Sequence, residues 1–123
     1  MSAAPEPLSP KLHTEPAWRE QDRLAALARY RILDTAPEPA FDAIVKLAAQ
    51  ICETPIAAIS LVAADRQWFK ADVGLDVSET SLVVAICDDA IREPGLFVIP
   101  DLTQDPRFQH SSLVIGPPRL RFY

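Results

Sequence analysis

Residues 56–76 constrain the fold more than any other part of the chain, because they predict two neighbouring β-strands. Residues 56–62 form a short apolar run, typical of a central strand that is buried on most of both faces. Residues 68–73 alternate between apolar and polar side chains, and we expect Lys70 and Asp72 to lie on the wetter face of the second strand.

The residues that flank the second run predict how the two strands pair. Residues 63–66 form a short connection, and a short connection makes neighbouring strands antiparallel. Gly74 closes the second strand, where a residue without Cβ adopts a positive φ at little cost. Packing and turn chemistry explain this hairpin without a ligand, so it indicates architecture rather than function.

The chain before the hairpin predicts two helices. Residues from about 18 to 31 are good helix formers, with acidic side chains early and arginines late, as the helix dipole favours. Residues from about 39 to 53 carry apolar side chains at spacings of three and four, and we expect this face to pack on the sheet. The face consists of Phe41, Ile44, Val45, Ala48, Ile51 and Cys52.

The chain after the hairpin alternates between helical and extended patterns. After a polar connection over residues 75–80, we expect a third helix over about 82–92, a strand over 96–99, and a helical turn that Asp105 caps. A loop and a further strand over 119–123 follow. This order predicts an α+β domain with helices on a mainly antiparallel central sheet.

Composition limits the class of protein. The 123 residues suffice for one domain, 49% of them are hydrophobic, and the net charge is -5. The negative charge argues against a nucleic-acid partner, and the absence of a long apolar run argues against a membrane partner. We expect a disordered Pro-rich tail over residues 1–16, one domain over 17–123, and a cytoplasmic location, since no secretory signal is visible.

The two cysteines are the first candidates for chemistry. Cys52 and Cys87 lie in helical apolar patterns, which indicates buried thiols rather than a disulfide or a metal site. Asp88 and Asp89 follow Cys87, and their charges would oppose thiolate formation. We therefore expect no catalysis at Cys87, and we place the two carboxylates on a solvated helix face.

The loop over residues 101–108 is the best candidate for a pocket wall, because it mixes acidic, basic and aromatic side chains. The candidate ligand-binding residues are Cys87, Asp101, Arg107 and Phe108. A purely structural role for this loop is the alternative. Trp68 is expected to pack against a helix rather than to stack a ligand. No metal ligands are expected, since neither histidine has a visible partner.

Several separated segments together resemble one domain family. They include residues 23–27, 30–35, 40–42, 60–62, 65–70, 73–75, 86–91, 98–101 and 105–108. In this order they resemble the GAF domains at the N-terminus of bacterial sensor histidine kinases and diguanylate cyclases. The resemblance implies a PAS-related fold, with a central antiparallel sheet, helices behind it and a pocket in front.

The resemblance also limits the cofactor, which stays unknown. The Asp-Ile-Pro motif of bilin-binding relatives and the Asn-Lys-x-Asp-Glu motif of cyclic-nucleotide-binding relatives are both absent, so neither ligand is favoured. Where the family usually has Ser-Phe-Cys-Ala-His, residues 85–89 read Ala-Ile-Cys-Asp-Asp. Some relatives reduce free methionine sulfoxide with cysteine nucleophiles, which makes Cys87 an unfavoured enzymatic alternative.

The function that the resemblance implies is that of a non-enzymatic sensory module in bacterial two-component or related signal transduction. It would bind an unknown small molecule, or relay a signal as a homodimer through the N-terminal helix or an exposed sheet edge. A structural dimerisation unit without a ligand is the alternative. No kinase or cyclase motif is visible, and relatives continue past Tyr123, so we expect a C-terminally incomplete fold.

Overall fold

The computed structural model describes residues 18–82 and 85–123. The predicted tail over residues 1–16 lies outside the described residues, as does Val83 of the predicted third helix. The described residues form two compact units within residues 18–87 and 88–123.

The first unit contains two helices and a three-stranded sheet. Its elements are α1 (Glu20–Tyr30), α2 (Pro39–Cys52), β1 (Ala57–Val62), β2 (Arg66–Val73) and β3 (Glu79–Ser81). The strands are antiparallel in the order β1-β2-β3, which confirms the predicted hairpin. The sequence did not predict β3, because its three residues lie at the end of a polar connection and have no apolar alternation.

The positions of the first two strands differ from the prediction. Within the described sheet, β1 is an edge strand and β2 is central. Only Val62 of β1 is buried, and Ala58 is exposed, so the expectation of a strand buried on most of both faces was wrong. An apolar run alone does not distinguish a central strand from an edge strand.

A β-bulge interrupts the alternation of β2. Ile59 lies opposite Ala71, while Ser60 lies opposite Phe69, so Lys70 is an extra residue without a partner on β1. A bulge re-aims side chains and shifts the two-residue period of a strand. Lys70 is 3% exposed, and its predicted position on a wet face was therefore wrong.

Gly74 ends β2 with φ of 80°, which confirms the predicted positive φ. A Cβ at this position would lie 2.2 Å from the backbone oxygen of Pro55. Conformation and close approach therefore both require glycine here.

Helix α2 contacts both long strands but does so with only part of its apolar surface. Val45 is buried, whereas Ile44 is 55% exposed and Ile51 is 72% exposed. The predicted packing was also wrong for Ala48 and Cys52, which are exposed. Periodicity locates the apolar face of a helix, but it does not say what covers that face.

Helix α1 is joined to the edge strand through Arg23. The Arg23 guanidinium donates to the backbone carbonyl of Val62 and pairs with Glu20 at 2.5 Å. Ala63 N donates to Arg66 O at 2.8 Å, which makes Ala63 and Arg66 a hydrogen-bonded pair. The next pair, Val62 and Gln67, is therefore of the non-hydrogen-bonded type. In such a pair the backbone groups point outward, so the Val62 carbonyl faces away from β2. Arg23 thus satisfies an acceptor on the outer edge of the sheet.

The second unit consists mostly of turns and short helices. Helix α3 (Cys87–Ala90) crosses the boundary, and a 3-10 turn (Leu102–Gln104) and α4 (Ser112–Ile115) follow. A helix was predicted over about 82–92, but among the described residues of that range only the four residues of α3 are helical. The turn that Asp105 was expected to cap is present, since Gln109 N donates to Asp105 O at 2.8 Å.

The two extended segments predicted in this unit pair without forming a regular ladder. Ile99 N donates to Tyr123 O at 2.7 Å, and Tyr123 N donates to Ile99 O at 3.0 Å. This reciprocal exchange is typical of an antiparallel pair. The rings of Phe97 and Tyr123 meet edge to face at 5.9 Å and hold the same two segments together.

Candidate ligand site beside strand β2

A cavity of about 660 Å³ lies beside β2 in the first unit. We call it the β2 cavity. Its walls come from the α1–α2 connection, the first two turns of α2, the middle of β2 and the residue before β3: Asp34, Thr35, Pro37, Asp42, Val45, Lys46, Trp68, Phe69, Lys70, Ala71, Asp72 and Ser78. This volume lies in the range of sites for small molecules.

Lys70 fixes one wall of the β2 cavity. Its ammonium donates to Thr35 Oγ1 at 2.7 Å and to Ala36 O at 2.6 Å, and it pairs with Glu38 Oε2 at 2.7 Å. It also lies 5.6 Å from the centre of the Phe41 ring. Three acceptors match the three donors of an ammonium group, which compensates for burying the charge.

A second contact holds the α1–α2 connection to the start of β2. Arg66 donates to both oxygens of Asp34, at 2.9 and 2.7 Å, and to Glu79 Oε1 at 3.1 Å. The Arg66 hydrogen bonds hold the pKa of the Asp34 carboxyl below its usual value, and the Asp34 carboxylate raises the pKa of Arg66. Arg66 of β2 is therefore joined by charge-assisted hydrogen bonds to Asp34 of the α1–α2 connection and to Glu79 of β3.

Other polar groups of the cavity wall are not engaged in this way. The side chains of Asp42 and Lys46 have no hydrogen bond or ion pair with any described residue, and the Trp68 indole N–H has no acceptor among them. Trp68 is nevertheless buried, with 8% of its surface exposed. The walls of the β2 cavity thus combine fixed charges with groups that can still accept or donate hydrogen bonds.

The loop residues predicted from sequence form a separate arrangement in the second unit. The Arg107 guanidinium binds both oxygens of Asp105, at 3.1 and 2.8 Å, and lies 5.2 Å from the Phe97 ring and 5.1 Å from the Phe108 ring. The Asp105 hydrogen bonds raise the pKa of Arg107, and those of Arg107 lower the pKa of Asp105. Arg107 and Phe108 are thus brought together by mutual packing.

Asp101, the third predicted loop residue, begins the 3-10 turn. Its Oδ1 accepts from Thr103 N at 2.9 Å and from Thr103 Oγ1 at 2.6 Å, and these bonds lower the pKa of its carboxyl. This contact is separate from the Arg107–Phe108 contact. The structural role that the sequence offered as an alternative for the loop matches what these side chains contact.

The cysteine predictions were wrong about burial. Cys52 is exposed and Cys87 is half-buried, and neither forms a disulfide. Asp88 and Asp89, expected on a solvated face, are buried. Asp88 accepts a hydrogen bond at 3.4 Å from Arg92, four residues later in the chain. The prediction of a solvated face considered the two carboxylates alone and did not include this arginine.

Sequence reasoning missed the β2 cavity as a site. It identified Trp68 and Lys70 but assigned both to sheet packing, and it did not connect them with Asp34, Asp42 or Lys46. The signal that could have found the cavity is the combination of an i, i+4 opposite-charge pair on α2 with a lysine inside a strand.

Metal and membrane features are absent from the described ranges. Among residues 18–82 and 85–123, no three His, Cys, Asp or Glu side chains are placed to hold a metal ion. Within the same ranges, every helix is too short or too polar to cross a membrane.

Comparison with known proteins assigns the family. The model of the GAF domain matches residues 36–123. The chain is 38% identical over 104 residues to a cyclic di-GMP phosphodiesterase from Pseudomonas aeruginosa, and this match covers 85% of the chain. The chain matches 18% of that protein's length. With its antiparallel sheet and flanking helices in an α+β arrangement, the chain belongs to the GAF domain family.

Proposed function

We propose that this GAF domain is a non-catalytic sensory module of bacterial signalling, and that it binds a small polar molecule in the β2 cavity. The observation that carries the proposal is the contrast within the cavity wall. Lys70 and the Arg66–Asp34 pair are fully engaged and hold the wall in place, whereas the side chains of Asp42, Lys46 and Trp68 have no hydrogen-bond or ion-pair partner among the described residues. Preorganised walls with unused polar groups favour binding.

The position of the cavity suggests how binding is communicated. Its walls include both the α1–α2 connection and the first half of α2, so a ligand contacts two elements that Lys70 and Arg66 join to the sheet. A ligand shifts a conformational equilibrium only when it binds one state better than another. Movement of α2 relative to β2 is the change that such a ligand would bias.

The test is a ligand screen on a Trp18→Phe background, in which Trp68 is the remaining tryptophan. A ligand of the β2 cavity should raise the midpoint of thermal unfolding in a concentration-dependent way and should change Trp68 fluorescence. Trp68→Phe retains an aromatic side chain but removes the indole N–H, and it should weaken the binding that thermal unfolding reports. A ligand whose affinity is the same in Trp68→Phe, Lys46→Gln and Asp42→Asn would place the site elsewhere and overturn the proposal.

Dimerisation is a second candidate function, and the exposed face of α2 favours it. Ile44, Leu47 and Ile51 are 55%, 56% and 72% exposed and recur at spacings of three and four. Exposed apolar patches often mark sites of association. The outer edge of β1 and helix α1 are the surfaces that the sequence suggested for the same role.

Light scattering at increasing protein concentration tests this candidate. Leu47→Asp should lower the average mass if α2 forms the interface, while Gln50→Asp, an exposed change on the same helix, serves as the control. A monomeric mass at every concentration would contradict dimerisation through any of these surfaces.

The non-enzymatic character is also part of the proposal. Methionine sulfoxide reduction at Cys87 is the enzymatic alternative, and the two residues that follow Cys87 in sequence are the buried carboxylates Asp88 and Asp89. Turnover of free methionine sulfoxide that is lost in Cys87→Ser would overturn this part. A regulated kinase, cyclase or phosphodiesterase output, acting in the cytoplasm, is the context that we propose.

A further inference from the structure

We propose that the ligand of the β2 cavity is a small zwitterion with an apolar side chain, the chemical class of the free amino acids. The inference rests on the proposed function and specifies which molecule the cavity selects. The charged groups of the cavity wall fall into two sets: those that already have partners in the protein, and those that have none among the described residues.

Most charged groups of the wall are committed to other parts of the protein. The Asp34 carboxylate has both oxygens bound by Arg66, and the Lys70 ammonium has three acceptors. One oxygen of Asp72 accepts from Leu75 N at 3.2 Å. The Asp34 and Lys70 groups shape the cavity and have little capacity left for a ligand, whereas the second oxygen of Asp72 has no partner among the described residues.

Asp42 and Lys46 are the two charged groups of the wall that remain without a partner among the described residues. They lie four residues apart on α2, so their side chains are neighbours on one helix face. Opposite charges at this spacing commonly pair, yet no ion pair within 4 Å joins Asp42 to Lys46. The helix thus presents one negative and one positive group, separately, to the same cavity.

A molecule that carries an ammonium and a carboxylate on neighbouring atoms matches this arrangement. Asp42 accepts from the ammonium and Lys46 donates to the carboxylate, and both contacts are charge-assisted hydrogen bonds. An anion alone would use only Lys46, and an amine alone would use only Asp42. Each would leave one charged group of the helix without a ligand contact.

The remaining wall indicates the rest of the ligand. Val45, Trp68 and Phe69 contribute apolar surface to the cavity, and the unused Trp68 indole N–H adds one donor. The carboxylate of Asp72 adds negative charge near the same surface. An apolar side chain is therefore accepted more readily than an acidic one.

The first experiment is an NMR titration of the full chain with an equimolar mixture of the twenty protein amino acids. Amide shifts are expected in α2 and β2. The second experiment measures dissociation constants for phenylalanine, for phenethylamine, which lacks the carboxylate, and for 3-phenylpropanoate, which lacks the ammonium. Each truncated compound should bind at least about tenfold more weakly than phenylalanine, because one charge-assisted contact is lost.

Two cavity variants assign the contacts. Lys46→Gln should remove the difference between phenylalanine and phenethylamine, and Asp42→Asn should remove the difference between phenylalanine and 3-phenylpropanoate. Arg29→Gln and Asp22→Asn also remove one positive and one negative charge, at exposed positions of α1 outside the cavity, and should leave the affinities unchanged. Circular dichroism confirms that each variant is folded.

The outcomes separate this inference from the proposed function. No shift with the amino-acid mixture, or equal affinities for the three phenyl compounds, overturns the zwitterion. If the screen of the proposed function then finds another ligand, such as inorganic phosphate, whose affinity falls in Lys46→Gln, the β2 cavity remains a sensory site. If no compound binds there, both fail.

Discussion

Lys70 Nζ lies 2.7 Å from Glu38 Oε2, and the Lys70 side chain is completely buried, whereas the Glu38 side chain is 56% exposed. Glu38 is the N-cap residue of α2, and Lys70 is the bulged residue of β2. The contact therefore joins the centre of the sheet to the start of the helix.

Replacing Lys70 by Met should lower the free energy of unfolding by about 1–3 kcal/mol, because the buried ammonium satisfies three acceptors. The cost stays moderate because Thr35, Ala36 and Glu38 are exposed and can be hydrated. Urea unfolding at constant m-value measures the change. Lys46→Met is the control, since Lys46 is exposed and has no partner among the described residues, and it should change stability by less than about 0.5 kcal/mol.

Replacing Gly74 by Ala should lower the free energy of unfolding by more than about 1 kcal/mol, since φ is positive and the Cβ would collide with the Pro55 backbone oxygen. Gly95→Ala is the matched control, because nothing lies within 4 Å of a Cβ at that position. Thermal unfolding of the two variants compares them directly. Equal midpoints would show that the Pro55–Gly74 approach does not limit the residue at position 74.

Stability should fall in acid as the carboxylates of Asp34 and Asp105 are protonated. Both pKa values are lowered in the folded protein by arginine hydrogen bonds, so the stabilisation is present above the unfolded value near about 3.9 and is lost as the pH falls through the folded value. Urea unfolding between pH 6 and pH 3 measures the loss. Asp34→Asn should make the acid loss shallower, whereas Asp76→Asn, at an exposed site, should leave it unchanged.

Replacing Arg23 by Met should increase hydrogen exchange of the α1 amides, because the contact between its guanidinium and the Val62 carbonyl is lost. Helix α1 has no buried residue, so few other contacts oppose its opening. Arg29→Met changes an arginine of the same helix that is exposed, and protection should remain near that of the original protein. Unchanged protection in Arg23→Met would mean that packing alone holds the helix.

A thiol reagent should modify Cys52 in the native protein well before Cys87, because Cys52 is exposed and Cys87 is half-buried. Ellman's reagent under native conditions should therefore show a fast phase of about one thiol per chain, and Cys52→Ser should abolish that phase. A fast phase that persists in Cys52→Ser would contradict the burial of the two side chains. Total thiol in denaturant provides the reference.

The sequence predicted local structure better than burial. Helices α1 and α2, the hairpin and the positive φ of Gly74 follow from periodicity and turn chemistry, which act over a few residues. The edge position of β1 and the exposed face of α2 depend on what lies next to them in space. Lys70 illustrates the difference, because one extra residue in β2 turns a predicted surface lysine into a buried one.

The candidate site was predicted least well, for a related reason. The loop residues Asp101, Arg107 and Phe108 have side chains suited to ligands, but those side chains contact the protein itself. In the β2 cavity, the useful property of the Asp42 and Lys46 side chains is that they have no partner within residues 18–82 and 85–123. A missing contact between two residues leaves no pattern in the sequence.

The bulge at Lys70 divides β2 into two halves of opposite parity. Odd and even positions exchange faces between residues 66–69 and residues 71–73, so each face of the strand is formed by even positions on one side of the bulge and by odd positions on the other. Deleting Lys70 would give a regular ladder in which Phe69 and Ala71 keep their partners Ser60 and Ile59, but it would remove the buried ammonium that holds the α1–α2 connection against the cavity wall. The length of β2, and not only its composition, is therefore part of what builds the cavity.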